Sequence, residues 1–250
     1  MARRREVGIL KLGILSAALT MGLALTAQAD DKKLTLSGSA AFTTDYMFRS
    51  VSQTTQEPAV QPEFDLTYGM WWAYMWGSNV NFPGSESIEI DYGAGISPKW
   101  GNFTFTVGGL VYTYPGANND IDYFELKSGV AWARTGSQWN FGLTDYWSND
   151  NFQVFGQSNA IEGTIGYALK NKWWNFFSPS ISGLVGFQSY EEIASDYVYW
   201  NAGLTLGFLN HWSADVRYYD TDYSKQECFI QNGNRNGCDA RAVGTLKVTF

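Results

Sequence analysis

From residue 34 to residue 48 the even positions read Leu34, Leu36, Gly38, Ala40, Phe42, Thr44, Tyr46 and Phe48, and the odd positions Thr35, Ser37, Ser39, Ala41, Thr43, Asp45 and Met47. One face is mostly apolar and the other mostly polar, the period-two signature of a strand with unlike surroundings on its two sides. The same alternation sets Ile88, Ile90, Tyr92, Ala94 and Ile96 against Ser87, Glu89, Asp91, Gly93, Gly95 and Ser97. It returns at the end of the chain, where Ala240, Ala242, Gly244, Leu246, Val248 and Phe250 oppose Asp239, Arg241, Val243, Thr245, Lys247 and Thr249. After residue 33 no stretch of useful length carries a helical period. The spacing predicts twelve strands, near 34–48, 60–68, 71–81, 87–97, 103–113, 121–133, 139–147, 159–169, 177–189, 197–208, 212–220 and 239–250.

The prolines agree with this division, because proline cannot donate to a ladder hydrogen bond. Pro58, Pro83, Pro98 and Pro115 fall in predicted connections, and Pro62 and Pro179 near strand starts. Connection lengths alternate. Gly69-Met70, 98–102, 134–138, 170–176 and 209–211 are short, whereas 49–59, 148–158 and 221–238 are long; 82–86 breaks the rule by being short. An even strand count with short turns at one end and long loops at the other is the pattern of an up-and-down bacterial outer-membrane barrel.

The first residues read as an address. Arg3, Arg4 and Arg5 form a basic start, 12–25 an apolar stretch, and Ala27-Gln28-Ala29 a small-residue cleavage site, so residues 1–29 are expected to be a cleaved signal peptide and 30–250 the barrel. The apolar stretch is short for a membrane helix, which needs about 20 residues. With no other long apolar run, any membrane passage must use a closed barrel.

A soluble sandwich or lipocalin shows the same alternation, so the polar face decides the matter. It carries Asp45, Glu63, Asp65, Glu89, Asp91, Glu125, Glu162, Asp215 and Asp239 against Arg49, Lys127, Arg217, Arg241 and Lys247. Charges at this density cannot form a dry core, and a barrel of twelve strands encloses more space than apolar side chains fill. These fourteen residues are the candidate lining of a pore. Asp45 with Arg49 and Arg217 with Asp215 are the charges of first interest, either as a constriction that steers ions or as braces of the wall; for any one residue bracing is favoured. Trp71, Trp72, Trp100, Trp132, Trp139, Trp173, Trp174 and Trp212 gather at or near the short-turn end, as an interfacial aromatic belt would. Asp145 argues the other way: its parity points it into lipid, so the strand is expected to end or bulge there.

Composition narrows the functions. The chain has 250 residues and a formal charge of −7; removing three Arg, one Lys and one Glu with residues 1–29 leaves −10, a poor match for nucleic acid. Cys228 and Cys238 lie in a Gly/Asn-rich stretch of an exported chain and read as one loop-closing disulfide without the further ligands a metal site needs. His211, the one histidine, falls in a short turn away from the outward rim, and the carboxylate pairs Glu63/Asp65 and Glu89/Asp91 have an ordinary fate as partners of inner basic residues. An enzyme is therefore the weaker expectation, and no cofactor is implied.

The run Thr44-Asp45-Tyr46-Met47-Phe48-Arg49-Ser50-Val51-Ser52-Gln53, with Pro58-Ala59-Val60-Gln61, resembles the opening of the TorF family of porin-like proteins, also called Gcw_chp. Trp76-Gly77-Ser78-Asn79-Val80, Ile88-Glu89-Ile90-Asp91, Tyr112-Thr113-Tyr114-Pro115-Gly116 and Tyr123-Phe124-Glu125-Leu126 follow in the family's order. Ser50 departs from it, standing where the family usually has Gly. The resemblance implies an outer-membrane porin more than a particular solute. The terminal Phe250 resembles the signal read by the barrel-assembly machinery, which with periplasmic chaperones and outer-membrane lipid completes the expected partners. The expectation is thus an all-β, antiparallel, twelve-stranded transmembrane barrel in the cell outer membrane, monomeric or weakly oligomeric. It is expected to pass small hydrophilic solutes or ions with a preference for cations. The rivals are a closed adhesin-like barrel with partner-binding loops and, further off, an outer-membrane enzyme.

Overall fold

The computed structural model describes residues 33–82, 88–118 and 120–250. The expected signal peptide lies outside the described residues, as does most of the short connection at 82–86. Twelve strands form the wall: β1 (Leu34–Thr43), β4 (Ala59–Tyr68), β5 (Trp71–Asn79), β6 (Ile88–Ile96), β8 (Phe103–Thr113), β9 (Tyr123–Ala133), β10 (Trp139–Ser148), β11 (Ser158–Ala168), β12 (Ser178–Tyr190), β13 (Tyr197–Phe208), β14 (Trp212–Thr221) and β15 (Arg241–Thr249). Two more, β2 (Met47–Phe48) and β3 (Val51–Ser52), form a separate hairpin, and β7 (Lys99–Trp100) extends the wall beside β8. Each wall strand pairs antiparallel with its neighbours in sequence, and β1 pairs with both β4 and β15, which closes the ring. The result is the expected up-and-down barrel of twelve strands. Strand β1 starts and strand β15 ends at the side with the short turns, here the turn end; the long connections lie at the loop end.

Alternation places the side chains as the sequence predicts. Phe42 sits beside Val60 on one neighbour and Leu246 on the other, and all three are exposed on the outer surface. Val107, Leu143, Val185 and Val216 continue this belt around the ring. An exposed apolar belt that runs round the whole of a closed barrel is what a lipid-facing surface requires. Each wall strand is paired along both edges over most of its length, the condition for backbone in hydrocarbon. Among the described residues no helix is long and apolar enough to cross a membrane.

Three expectations at strand ends need correction. Strand β1 stops at Thr43, so Tyr46 and Phe48 do not face lipid: Tyr46 is buried and Phe48 partly so, both inside the barrel. Trp72 also points inward, its ring lying over Gly95 and Gly108, where an added Cβ would sit 2.5 Å from the indole. Those two glycines face each other across β6 and β8, and only their lack of side chains leaves room for the ring. Strand β10 neither ends nor bulges at Asp145 but keeps register with both neighbours to its loop end. Asp145 does point outward, three residues from that end, where Asn159 Nδ2 donates to its carboxylate at 2.8 Å. A hydrogen-bonded carboxylate near the interface costs far less than one at mid-depth.

This geometry separates two substitutions of similar size. Val216→Arg, on the outer surface near mid-strand, should lower unfolding free energy in lipid vesicles by about 2–4 kcal/mol. Thr164→Lys, which faces the accessible part of the lumen on β11, should change it by less than about 1 kcal/mol. Equal losses in a denaturant titration would contradict the assigned faces.

An inward-folded loop in the lumen as the candidate functional site

On several strands the inward-facing residues are buried toward the loop end and more open toward the turn end, whereas β5 is buried on its inner face from Trp72 to Ser78. On β9 Tyr123, Glu125 and Lys127 are buried, Gly129 is intermediate, and Ala131 and Ala133 are exposed; on β11 Ser158, Ala160 and Glu162 are buried and Thr164 exposed. The filler of the loop-end half is the connection from β1 to β4, residues 44–58, which turns back into the barrel.

The base of this loop is tied by Asp45. Its Oδ1 accepts from the hydroxyls of Ser52 (2.7 Å) and Thr54 (2.9 Å), and its Oδ2 pairs with Arg241 at 2.8 Å. The loop then forms the β2–β3 hairpin, whose two-residue turn is Arg49-Ser50. Both residues have positive φ, 46° and 61°, as a tight hairpin turn requires. Such angles suit glycine far better than residues with a Cβ, so Arg49 and Ser50 are held in a backbone conformation that their side chains disfavour. Here Ser50 Oγ donates to the carbonyl of Trp200 at 3.1 Å.

Arg49 carries the hairpin across the lumen to the far wall. Its guanidinium donates to Gln188 Oε1 on β12 at 2.7 Å and to Glu125 Oε2 on β9 at 2.8 Å, and it stacks over Tyr146 on β10 at 5.1 Å. Tyr112 adds a hydrogen bond to Glu125 at 2.9 Å. Strand β10 stands six places around the ring from β1, so the loop spans the full diameter. Both charges are nearly inaccessible, Arg49 at 5 % and Glu125 at 1 %. Around them Tyr46 packs on Trp76, Phe48 on Tyr112, and Tyr112 stacks on Tyr123.

From the loop end the hairpin is held by the connection between β14 and β15. Helix α1 (Lys225–Asn232) begins at Ser224, whose hydroxyl accepts from the Glu227 amide while the Glu227 carboxylate accepts from the Ser224 amide at 2.9 Å. Hydrogen bonding from Ser224 holds Glu227 below the ordinary carboxylate range. Cys228 and Cys238 form the expected disulfide. The segment they close grips the hairpin: the Ser52 amide donates to the Gly237 carbonyl at 2.9 Å, Asn232 Nδ2 donates to the Ser52 carbonyl at 2.8 Å, and Val51 is buried in one cluster with both cysteines, Leu184, Tyr197 and Tyr199.

The sequence-derived lining therefore divides. Glu63, Asp65, Glu89, Asp91, Glu125, Lys127, Glu162, Asp215, Arg217, Arg241 and Lys247 sit on the inner wall. Asp45 and Arg49 are in the lumen, but on the loop, and they bind other partners rather than each other. Asp239 is a correction: β15 begins at Arg241, and Asp239 belongs to the β14–β15 connection just beyond Cys238, where it pairs with exposed Lys225. Lower in the barrel Lys247 pairs with Glu63 at 3.2 Å; Arg217 pairs with Asp215 and donates to Asn201 and Ser182. Phe250 lies on the seam, exchanging backbone hydrogen bonds with Gly38 of β1. Alternation did not find Gln188, Tyr112, Tyr46 and Phe48 as loop contacts. The available signal was length: a strand of fifteen residues, 34–48, exceeds the 9–11 that cross a bilayer, so its surplus had to leave the wall.

A closed ring of twelve strands with an apolar exterior, a charged interior and an internal loop defines an outer-membrane β-barrel of porin-like architecture. Two solved porins have this fold. "KdgM porin" superposes with a TM-score of 0.56 at 9 % identity, over 86 % of this chain and 98 % of that one. The NanC porin gives 0.51 at 13 % identity, again over 86 % and 98 %. No curated protein matches in sequence. Residues 27–250 match Gcw_chp, described as a bacterial protein of unknown function, and the chain belongs to that family.

Breaking the Arg49–Glu125 pair leaves a buried charge alone, a loss of about 3–5 kcal/mol. Because the wall is closed without the loop, the loss should appear locally. Arg49→Met should speed hydrogen exchange of the Gln53 amide, which bonds the Tyr46 carbonyl, while the amides of β12 and β13 keep their protection. Reducing the disulfide removes a loop constraint worth about 3 kcal/mol and should speed exchange at Ser52. Unchanged exchange at both amides would show that neither tie holds the loop.

Proposed function

We propose that the protein is an outer-membrane channel for passive passage of small hydrophilic solutes or ions, with the inward-folded loop setting its width. The observation that carries this reading is the burial gradient along inner faces such as those of β9 and β11, from a more accessible turn end to a loop braced across the lumen at the other. A wall needed only as an anchor has no use for such a gradient. The loop end faces outward and the turn end the periplasm, and residues 1–29 are the export signal. Phe250, on the seam that closes last in sequence, fits recognition by the assembly machinery. The TorF name belongs to the same reading.

The charge of the lumen supports cation preference. With Asp239 removed, eight acids (Asp45, Glu63, Asp65, Glu89, Asp91, Glu125, Glu162, Asp215) oppose five bases (Arg49, Lys127, Arg217, Arg241, Lys247). Fixed negative charge in a confined path favours cations. A non-conducting barrel with partner-binding loops is the second reading, and the filled loop-end half favours it. Catalysis is disfavoured by the position of His211, which is exposed in a turn with its carbonyl held by the Thr249 amide.

Planar-bilayer recording of the refolded protein decides between these. Small single-channel steps are expected for the wild type, larger steps when residues 46–53 are replaced by a short Gly-Ser link, and a reversal potential of cation sign in a KCl gradient. Absence of conductance from both forms would overturn the channel reading in favour of the closed barrel; anion preference would overturn the charge argument alone.

A further inference from the structure

Four acceptor oxygens inside the barrel lack a donor: both carboxylate oxygens of Asp91, Oε2 of Glu89, and the amide Oε1 of Gln61. The three residues are inaccessible, at 0 %, 2 % and 2 %. Glu89 and Asp91 are successive inward positions on β6. Gln61 faces the lumen from β4, its Nε2 donating to Ser78 Oγ at 3.4 Å, and Ser78 stands opposite Glu89 in the ladder. That bond engages the amide nitrogen of Gln61 and leaves its oxygen for another partner. Glu89 Oε1 accepts from Tyr114 at 3.0 Å. Neither carboxylate belongs to any of the five ion pairs of the described residues.

Two carboxylates withdrawn from water without a counter-charge are costly, and an unpaired amide oxygen adds to the cost. Two buried donors of the barrel, Trp72 Nε1 and Tyr123 Oη, are also unpartnered, but neither bonds these carboxylates, and around Glu89, Asp91 and Gln61 the unpaired atoms are acceptors. A cation would supply the partner these oxygens lack, and two carboxylates match one divalent ion. Carboxylate, amide carbonyl and hydroxyl oxygens, with no imidazole or thiolate, suit a hard cation of the calcium type, which takes several oxygens in a flexible arrangement. Among the described residues no three His, Cys, Asp or Glu side chains gather as a metal set, so the amide of Gln61 and water must complete the coordination. We propose that Glu89, Asp91 and Gln61 bind one hard divalent cation in the lumen wall behind the inward-folded loop. The ion joins β4 to β6 across β5. It also steadies the loop, because Tyr46 packs on Trp76, the β5 residue opposite Asp91.

The surrounding rings supply the assay. In refolded, lipopolysaccharide-free protein in detergent, terbium(III) bound here should luminesce on excitation of Trp76, Tyr46 and Tyr114. The signal should saturate at one ion per barrel and be displaced by CaCl2 but not by KCl at equal concentration. Asp91→Asn should weaken terbium binding at least about tenfold, Gln61→Leu less, and Glu192→Gln, in an exposed loop, not at all. Folding of each variant is read independently from its heat-modifiable gel mobility. Calcium should raise the Tm of the wild type and leave that of Asp91→Asn unchanged. A folded wild type without saturable luminescence, or a folded Asp91→Asn with wild-type affinity, overturns the site. None of these readouts uses conductance, so a silent barrel that binds the ion would remove the channel reading and leave this one standing.

Discussion

Hydrocarbon offers the peptide backbone no hydrogen bonds, and the rest of this structure follows from that constraint. Strands in lipid must pair on both edges, so the sheet has to close on itself. Twelve strands do so through the β1–β15 and β6–β8 ladders. Closure fixes the radius, and the radius creates a second requirement, because the enclosed space is too wide for the inner side chains to meet. Something has to occupy it, water or chain. In this barrel part of the turn-end half is open, and residues 44–58 fill the other.

Filling the space with a loop brings a penalty that filling it with wall side chains would not. The loop has its own backbone groups, and these need partners in a crowded interior. The β2–β3 hairpin meets part of the need, and the rest comes from outside the loop: Tyr197 hydroxyl to the Arg49 carbonyl, Gly237 and Asn232 to Ser52, Thr44 to Gly244. Ionic groups do the long-distance work. Asp45 anchors the near side and Arg49 the far side, each bonded to charged and neutral partners together. A buried pair of this kind adds little net stability compared with apolar packing. What it supplies is a single position, since a guanidinium shared between Gln188 and Glu125 has one seat.

Wall and loop differ in how far the sequence reveals them. In the wall, side-chain direction follows from chain position alone, so Ile88 to Ser97 could be assigned a face from parity, and proline and turn residues marked the ends. Parity loses its meaning where the ladder stops. Tyr46 and Phe48 keep the even rhythm of Leu34 and Phe42, yet the chain has left the sheet at Thr43 and their direction is set by Trp76 and Tyr112 across the lumen. Trp72 failed for a different reason: its room comes from Gly95 and Gly108 on neighbouring strands, a coincidence visible only once the register is known. The charge inventory survived better. All but one of the candidate lining residues lie in the lumen, because a charge on the polar face of a membrane strand has nowhere else to go. Which acid meets which base did not follow, since partners such as Arg49 and Glu125 are joined by tertiary geometry and lie far apart in sequence.

The distribution of partners inside the barrel also orders its parts by how readily they give way. The outer wall is a continuous ladder in which no strand can leave without exposing both neighbours. The loop is held by a finite set of side-chain bonds, one salt bridge at its tip and one at its base, and by a segment that a single disulfide closes. Local opening draws on the weaker of two such sets. The part with the fewer ties is therefore the connection that crosses the lumen, and the part with the more is the ring around it. On the channel reading proposed above, passage would be governed where the ring meets that connection, at the contacts of Arg49 with Glu125, Gln188 and Tyr146.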